Sequence, residues 1–208
     1  MKLLFISLGC DKNLVDSEVM LGMLTQKGYE ITDDEEQADA VVINTCCFIG
    51  DAKEESINTI LEMGKRRVSG QLKALIVTGC LAQRYHDEIQ KEIPEVDAIL
   101  GTTATEKIVE TLEKVLEGQP ENYLEDLDKK PVGGKKRVLT TGGYYDYLKI
   151  AEGCDKHCTY CIIPKVRGNY RSVPMEQLLA EARDLAEQGV RELILVAQET
   201  TLYGRDLY

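Results

Sequence analysis

Acidic residues outnumber basic ones in this sequence, and long apolar runs are lacking. With 25 Lys and Arg against 36 Asp and Glu, the formal net charge is −11. Because nucleic-acid binding needs clustered cations that neutralise phosphates, this balance argues against direct nucleic-acid binding and suits a basic protein partner. The first apolar run, residues 3–7, is too short for the core of a secretory signal. No later run approaches the roughly 18 apolar residues of a membrane span. We therefore expect a cytoplasmic protein without a membrane partner.

Histidine is nearly absent, whereas cysteine is plentiful. The chain has two histidines, His86 and His157, and seven cysteines, which is an odd number. A reducing compartment disfavours structural disulfides, so the thiols are left as buried core residues, metal ligands or nucleophiles. We interpret His86 as a surface helix residue and His157 as a loop residue rather than as ligands.

Strand and helix patterns alternate over residues 1–117. Continuous apolar runs predict four buried strands, at residues 3–7, 40–44, 74–79 and 97–100. Such alternation is typical of a parallel sheet with helices on its faces. We therefore predict an α/β fold and assign residues 1–117 to an N-terminal domain.

Helical periodicity follows each predicted strand. Asp51 and Glu54 are spaced as a capping pair at the start of the second helix. A further helix is predicted near residues 83–92, and a last one opens with Thr103 and Glu106.

The pattern changes in the second half of the chain. Residues 118–146 have little periodicity, two prolines and paired glycines, which predicts a linker whose KKPVGGKK stretch is a solvated loop. Residues 147–208 begin a second domain with a strand at 147–153, a helix at 174–189 and a strand at 192–198. Two strands and one helix cannot complete a domain, so we expect the second domain to be cut short at Tyr208.

Three cysteines fall close together in the second domain. Cys154, Cys158 and Cys161 lie in GCDKHCTYCIIPKVRG, on a predicted strand-to-helix connection, within reach of one compact inorganic centre. A zinc site usually takes a fourth Cys or His ligand. A [4Fe–4S] cluster held by three thiolates leaves one iron with an open coordination position, which catalysis on a cluster requires. A zinc loop and a chance run of cysteines are the alternatives.

This stretch resembles the signature of radical S-adenosylmethionine (SAM) enzymes, including Tyr160 before the last cysteine. The resemblance implies that Cys154, Cys158 and Cys161 bind a [4Fe–4S] cluster whose open iron is chelated by the amino and carboxylate groups of SAM. An electron from the cluster would then cleave SAM to a 5′-deoxyadenosyl radical, which abstracts a hydrogen atom. The resemblance also places Tyr160 near the adenine of SAM, although a plain packing role fits this residue equally well.

Cys10, Cys46 and Cys80 are far apart in sequence, but each follows the end of a predicted strand. The carboxyl ends of parallel strands lie on one edge, where open α/β sheets bind ligands, so we expect the three thiols to converge there. Glycine precedes Cys10, Cys80 and Cys154, which permits unusual backbone angles close to an anionic cluster. The alternative for each thiol is a small buried hydrophobic residue. Cys47 should point away from Cys46, and the residues leave open which of the two binds metal.

Five stretches together resemble the methylthiotransferases, a radical SAM family with an extra N-terminal α/β domain. They are SLGCDKNLVDSE, INTCCFIGDAKEES, TGCLAQRY, EGCDKHCTYCIIPKVRGNYRS and LVAQETTLYGRDLY. The resemblance implies that Cys10, Cys46 and Cys80 hold a second [4Fe–4S] cluster. It also implies two SAM molecules per turnover, of which one methylates a sulfur on the N-terminal cluster and the other gives the radical. No side chain is expected to act as a general base, and an electron donor such as flavodoxin or ferredoxin is needed.

Two short motifs indicate a branch of this family. The tRNA-modifying branch typically has Gln-Met-Asn and Gln-Asn-Val-Asn where this chain has Asp11-Lys12-Asn13 and Gln198-Glu199-Thr200-Thr201. These motifs resemble those of the branch that methylthiolates the β-carbon of an aspartate in the twelfth small-subunit ribosomal protein. The implied partner is therefore this ribosomal protein or the ribosome. Gln-Asp-Thr-Thr is usual there, so Glu199 is a departure, and Cys47 is another. A tRNA methylthiotransferase and a non-catalytic iron–sulfur or zinc protein are the alternatives.

Polar residues near the second triad complete the candidate site. Gln198 and Glu199 end a strand on the same edge and are candidates for contacting the SAM amino group. Lys165, Arg167 and Arg171 could hold the SAM carboxylate or a substrate acid, but we interpret each of them as part of a solvated loop. Since the second domain looks incomplete, the chain alone could be inactive and could fail to hold the second cluster.

Overall fold

A five-stranded parallel sheet forms the centre of the N-terminal half. The computed structural model describes residues 1–208. The strands are β1 (Lys2–Ser7), β2 (Glu30–Thr32), β3 (Ala40–Thr45), β4 (Ala74–Thr78) and β5 (Ala98–Leu100). They lie in the order β2-β1-β3-β4-β5, and every neighbouring pair is parallel. β3 and β4 are buried along their whole length, which is why both begin as continuous apolar runs. The predicted α/β fold is confirmed.

Helices cover both faces of this sheet. They are α1 (Asp11–Gln26), α2 (Gly50–Val68), α3 (Gly79–Arg84), α4 (His86–Glu92) and α5 (Ile108–Leu116). Because successive residues of a strand point to opposite faces, Val41 packs in one hydrophobic cluster with Ile60 of α2. Val42 packs in the other cluster with Met20 of α1. No helix of the chain combines the length and the hydropathy needed to cross a bilayer.

The start of α2 differs from the sequence prediction. The helix begins at Gly50, and Ile49 is its N-cap in an extended conformation without a side-chain capping bond. The carbonyl of Ile49 already accepts the first helical hydrogen bond, from the Lys53 N–H at 3.1 Å. The predicted capping pair of Asp51 and Glu54 is therefore wrong.

Two later helices also have unexpected limits. The predicted helix at residues 83–92 is two short helices that meet at Tyr85. A 3₁₀ turn precedes the last helix, which begins at Ile108 with no side-chain cap, so Thr103 and Glu106 do not open it. The edge strand β2 is not visible in the sequence pattern because three residues are too few to show a period.

The second half contains a parallel strand–helix–strand unit. Its elements are β6 (Tyr145–Lys149), β7 (Ala151–Glu152), α6 (Ile163–Arg167), β8 (Arg171–Ser172), α7 (Met175–Glu187) and β9 (Glu192–Val196). β6 pairs in parallel with β9, and α7 packs on them through Leu178 and Leu185 against Leu148. β7 and β8 form a short antiparallel pair beside this unit. A parallel β–α–β unit of this kind is consistent with the start of a partial barrel, as predicted.

The segment between the two halves is irregular and largely half-buried or exposed, with a few contacts that tie it to the two halves. In the KKPVGGKK stretch, Lys129 and Lys135 both pair with Glu106, and the Gly133 N–H donates to the Gln177 side chain of α7 at 2.7 Å. The stretch is a loop in which no residue is buried and every second residue is exposed, which agrees with the interpretation as a solvated loop, and these contacts tie it to Glu106 and to α7. The limits that we assign to the domains, 1–117 and 147–208, stay a prediction.

One buried arginine joins this segment to both halves. Arg137 forms ion pairs with Glu18 of α1 at 2.5 Å, with Asp146 of β6 at 2.5 Å and with Glu181 of α7 at 2.9 Å. The guanidinium and its three carboxylates are all buried. These pairs fix α1 of the first half against β6 and α7 of the second.

Candidate functional site

Three free thiols converge at the carboxyl edge of the sheet. Cys10 is the N-cap of α1, Cys46 directly follows β3, and Cys80 is the second residue of α3, after β4. All three line one cavity of about 730 Å³. Ile163 and Gln198 of the second half line the same cavity. The structure thus brings together residues that the strand ends predict to converge, while their role as metal ligands stays a prediction.

Glycine is required beside two of these cysteines. Gly9 has a φ of +102°, and a Cβ atom there would lie 2.8 Å from the Cys46 Cβ and 3.1 Å from its Sγ. Gly79 has a φ of +92°, and its Cβ would lie 2.3 Å from Asn44 Oδ1. Both positions combine a left-handed backbone with an approach that is too close for any side chain. Any side chain at Gly9 or Gly79 would therefore displace the chain at the turn before Cys10 or Cys80.

Neighbouring Cys46 and Cys47 have different surroundings. Cys46 lines the cavity, and its backbone exchanges two hydrogen bonds of 3.0 Å with the Ser56 hydroxyl. Cys47 lies in the hydrophobic core, and its thiol donates to the carbonyl of Cys80 at 3.3 Å. Burial raises the pKa of Cys47 to about 11. The packing role that the sequence suggests for Cys47 agrees with this placement.

An asparagine connects the cavity to the second half. The Asn13 amide donates to the carbonyls of Leu8 at 2.9 Å and Thr45 at 3.0 Å, next to Cys10 and Cys46. Its Oδ1 accepts from Arg167 Nη2 at 2.5 Å. Asn13 therefore holds the backbone before two of the three cysteines and binds a guanidinium from the second half.

Arg167 is buried against acidic groups of both halves. Its Nη1 lies 2.7 Å from Asp16 of α1 and 3.2 Å from Glu152 of β7. Burial alone would lower the pKa of Arg167, but these two carboxylates raise it well above its usual value. Arg171 is also buried and donates to the carbonyls of Lys129, Asn169 and Arg167. The solvated-loop interpretation is thus wrong for both arginines, because paired guanidinium groups can be buried.

Replacing Arg167 with methionine should destabilise the protein. The substitution leaves the buried carboxylates of Asp16 and Glu152 to Lys149 alone, which should lower the free energy of unfolding by about 3–5 kcal/mol. The exposed Lys165 on the same helix is the matched control. Lys165→Met should change the free energy of unfolding by less than about 0.5 kcal/mol. Both values can be measured by urea unfolding. Equal effects of the two substitutions would contradict the assignment of Arg167 to a buried ion-pair network.

Lys12 places a second cation at the cavity. Lys12 is 3% exposed and lines the cavity, and its ammonium group has no hydrogen-bond partner. Burial lowers the pKa of Lys12 to about 8, against the opposing effect of Glu152. Three soft thiol ligands with the Arg167 guanidinium beside them suit an anionic iron–sulfur cluster. The residues of this cavity therefore fit such a group.

The second triad lies in the loop between β7 and α6, as predicted. Cys154 and Cys161 are half-buried and Cys158 is exposed. The loop is anchored at its base, where the Cys154 N–H donates to the carbonyl of Gly168 at 3.1 Å. His157 lies at its exposed tip with a φ of +44°. No three Cys, His, Asp or Glu side chains of the chain lie in the arrangement of a single metal ion's ligands.

Tyr160 and Glu199 both adjoin the second triad. Tyr160 is 91% exposed, which leaves no packing role for its ring in this structure. The Glu199 carboxylate pairs with Lys156, which lies between Cys154 and Cys158, and accepts from the Thr201 hydroxyl at 2.5 Å. Lys156 and then Thr201 lower the pKa of Glu199 to about 2. Tyr160, Gln198 and Glu199 as SAM contacts stay predictions.

Sequence comparisons agree with this two-part arrangement. Residues 2–101, which contain the first triad, match the profile described as "Uncharacterized protein family UPF0004". Residues 148–208, which contain the second triad, match the profile of the radical SAM superfamily.

Curated relatives match the chain along its length. A ribosomal protein uS12 methylthiotransferase RimO of Lachnoclostridium phytofermentans is 66% identical over 208 residues, which are 100% of this chain and 47% of the relative. A protein with the same name from Thermoanaerobacter sp. is 53% identical over 98% of this chain and 46% of its own length. Another from Clostridioides difficile is 50% identical over 100% of this chain and 47% of its own length. The chain thus spans about half the length of the curated relatives that it matches.

An α/β domain with one cysteine triad, joined to the start of a radical SAM domain with a second triad, defines a two-part radical SAM protein. The motifs, the two matched profiles and the similarity to these relatives identify the family within that class. The chain belongs to the radical SAM methylthiotransferase family.

Proposed function

We propose that this chain is part of an enzyme that methylthiolates the β-carbon of an aspartate in ribosomal protein uS12. The observation that carries the proposal is the cavity at which the two halves meet. Cys10, Cys46 and Cys80 line it from the first half, and Arg167 and Gln198 line it from the second. The first triad therefore faces the part of the chain that carries the radical SAM signature. The names and the 66% identity of the relatives support uS12 as the substrate.

Two [4Fe–4S] clusters and SAM are the proposed cofactors. Cys10, Cys46 and Cys80 would hold one cluster, and Cys154, Cys158 and Cys161 the other. When bound, these groups supply the sulfur, the methyl group and the radical that together replace a substrate C–H hydrogen with a methylthio group. The chain itself positions the thiols through its glycine turns, places the charge of Arg167 beside the first triad, and shields the site with packed side chains.

The rim of the cavity suits a protein substrate. Phe48 and Ile49 line it and are 61% and 57% exposed, which is unusual for large apolar side chains. Asp51 and Glu55, one turn apart on α2, line it as well. Apolar and acidic groups at the entrance, together with a net charge of −11, favour a basic polypeptide over a nucleic acid. A ribosomal substrate places the enzyme in the cytoplasm, where flavodoxin or ferredoxin would donate the electron.

Mass spectrometry of candidate substrates tests the proposal. The full-length protein, reconstituted anaerobically with iron and sulfide, is incubated with SAM, a reductant and either uS12 or tRNA. We expect a methylthio group on one aspartate of uS12 and none on tRNA. Modification of tRNA alone would identify the other branch of the family. Absence of SAM-dependent 5′-deoxyadenosine in every reaction would leave a non-catalytic metalloprotein.

A further inference from the structure

Lys12 is the one buried charged group of the chain whose polar atom has no hydrogen-bond partner. Its side chain comes from the first turn of α1 and lines the cavity of Cys10, Cys46 and Cys80. An unpaired ammonium group in a buried position is unfavourable. Its presence there therefore indicates an anionic ligand that enters the cavity.

The buried carboxylates nearby are already paired with other cations. Asp16 and Glu152 each form ion pairs with Lys149 and with Arg167. Arg167, the other cation of the cavity, also donates to Asn13. Lys12 is thus the cation at this cavity whose N–H donors are free for a ligand.

We propose that Lys12 binds the side-chain carboxylate of the substrate aspartate and so selects an acidic residue. The proposal rests on the proposed function, in which this aspartate enters between the two halves. An ammonium group offers three N–H donors and a full positive charge, so it binds a carboxylate more tightly than a neutral amide. Gln198 lines the same cavity from the second half, so a carboxylate held by Lys12 lies where the two halves meet.

Binding of two forms of uS12 tests this role. One form carries the target aspartate, and in the other that residue is replaced with asparagine. The full-length, anaerobically reconstituted protein is titrated with each form as wild type, Lys12→Met, Lys12→Arg and Lys91→Met. Lys91 is an exposed lysine of α4 and serves as the control. We expect wild type and Lys91→Met to bind the aspartate form about tenfold more tightly than the asparagine form. Lys12→Met should bind both forms equally, and Lys12→Arg should recover part of the preference.

Iron content, the cluster EPR signal and SAM binding are measured on the same variants. All three should be unchanged in Lys12→Met. Loss of iron or a changed EPR signal would show that the anion held by Lys12 is the cluster, and loss of SAM binding would show that it is the SAM carboxylate. Either result, or a tenfold preference that persists in Lys12→Met, overturns the proposal. A wild-type protein that modifies tRNA rather than uS12 would instead refute the proposed function, before any variant is compared.

Thermal unfolding of the metal-free protein gives a readout that needs no ligand. Because Lys12→Met removes an unpaired buried charge and keeps an unbranched side chain, it should raise the melting temperature by a few degrees. The exposed control Lys91→Met should leave the melting temperature unchanged. A lower melting temperature in Lys12→Met would mean that the ammonium group already has a partner within the protein, which overturns the proposal.

Discussion

Alanine at Cys10, Cys46 and Cys80 together should halve the iron content of the full-length protein, from about eight to about four atoms per chain. The same loss is expected when Cys154, Cys158 and Cys161 are replaced. The two triads lie in different parts of the fold, the first at the sheet edge and the second in the loop after β7. The two clusters should therefore assemble independently. Iron and acid-labile sulfide are measured after anaerobic reconstitution.

Either triple substitution should also abolish methylthiolation, since in the proposed reaction each cluster supplies a different part. The matched control is Cys47→Ala, which removes a thiol next to Cys46 that packs in the core. This variant should keep all of the iron. Loss of about four irons in Cys47→Ala would mean that Cys47 rather than Cys46 is the ligand, and zinc in place of iron would exclude the radical mechanism.

The same iron measurement can be made on the 208-residue chain without the rest of the full-length protein. The second triad is more exposed than the first, and β6 has only one partner strand. If the shorter chain holds about four irons that are lost only with Cys10, Cys46 and Cys80, the first site forms without the rest of the second domain. The relatives, which are about twice as long, would then supply what stabilises the second cluster.

The convergence of Cys10, Cys46 and Cys80 could be predicted because it follows from local patterns. Each thiol comes directly after an apolar run, and parallel strands place their carboxyl ends on one edge whatever the sequence distance between them. The α/β class follows from the same runs. Short elements such as β2 could not be predicted, since three residues carry too little periodicity.

The polar face of α1 could not be predicted from its own sequence. Lys12, Asn13, Asp16 and Glu18 are residue types that normally face water on an amphipathic helix, yet all four are buried. Arg167 of the second half covers Asn13 and Asp16, and Arg137 covers Glu18. Lys12 lies beside them at the cavity where the two halves meet. A helical pattern reports which face is apolar, but not whether a distant segment will bury the opposite face.

The burial of Arg137 between the two halves could not be predicted for the same reason, since a local pattern does not show which distant residues will surround it. One proline, two glycines and four lysines give residues 129–136 the composition of an exposed loop. Arg137 at its end is buried because three carboxylates from three different elements surround it. Charge complementarity between residues that are distant in the sequence leaves no periodic signal.

Replacing Arg137 with methionine should have the largest effect on stability of any single charge removal in the chain. It leaves Glu18, Asp146 and Glu181 buried together without their cation. Breaking a buried ion pair by removing one partner lowers the free energy of unfolding by about 3–5 kcal/mol. Since three carboxylates lose their cation here, we expect a loss at the upper end of this range. The neighbouring exposed Lys136 is the matched control, and Lys136→Met should change the free energy of unfolding by less than about 0.5 kcal/mol. Urea unfolding at pH 7 measures both.

The outcome of Arg137→Met also reports how firmly the two halves are joined, because Glu18 lies in the first half and Asp146 and Glu181 lie in the second. A loss no larger than that of Lys136→Met would mean that the three carboxylates reach water once the guanidinium is removed, and that the two halves separate there rather than keep the charges buried.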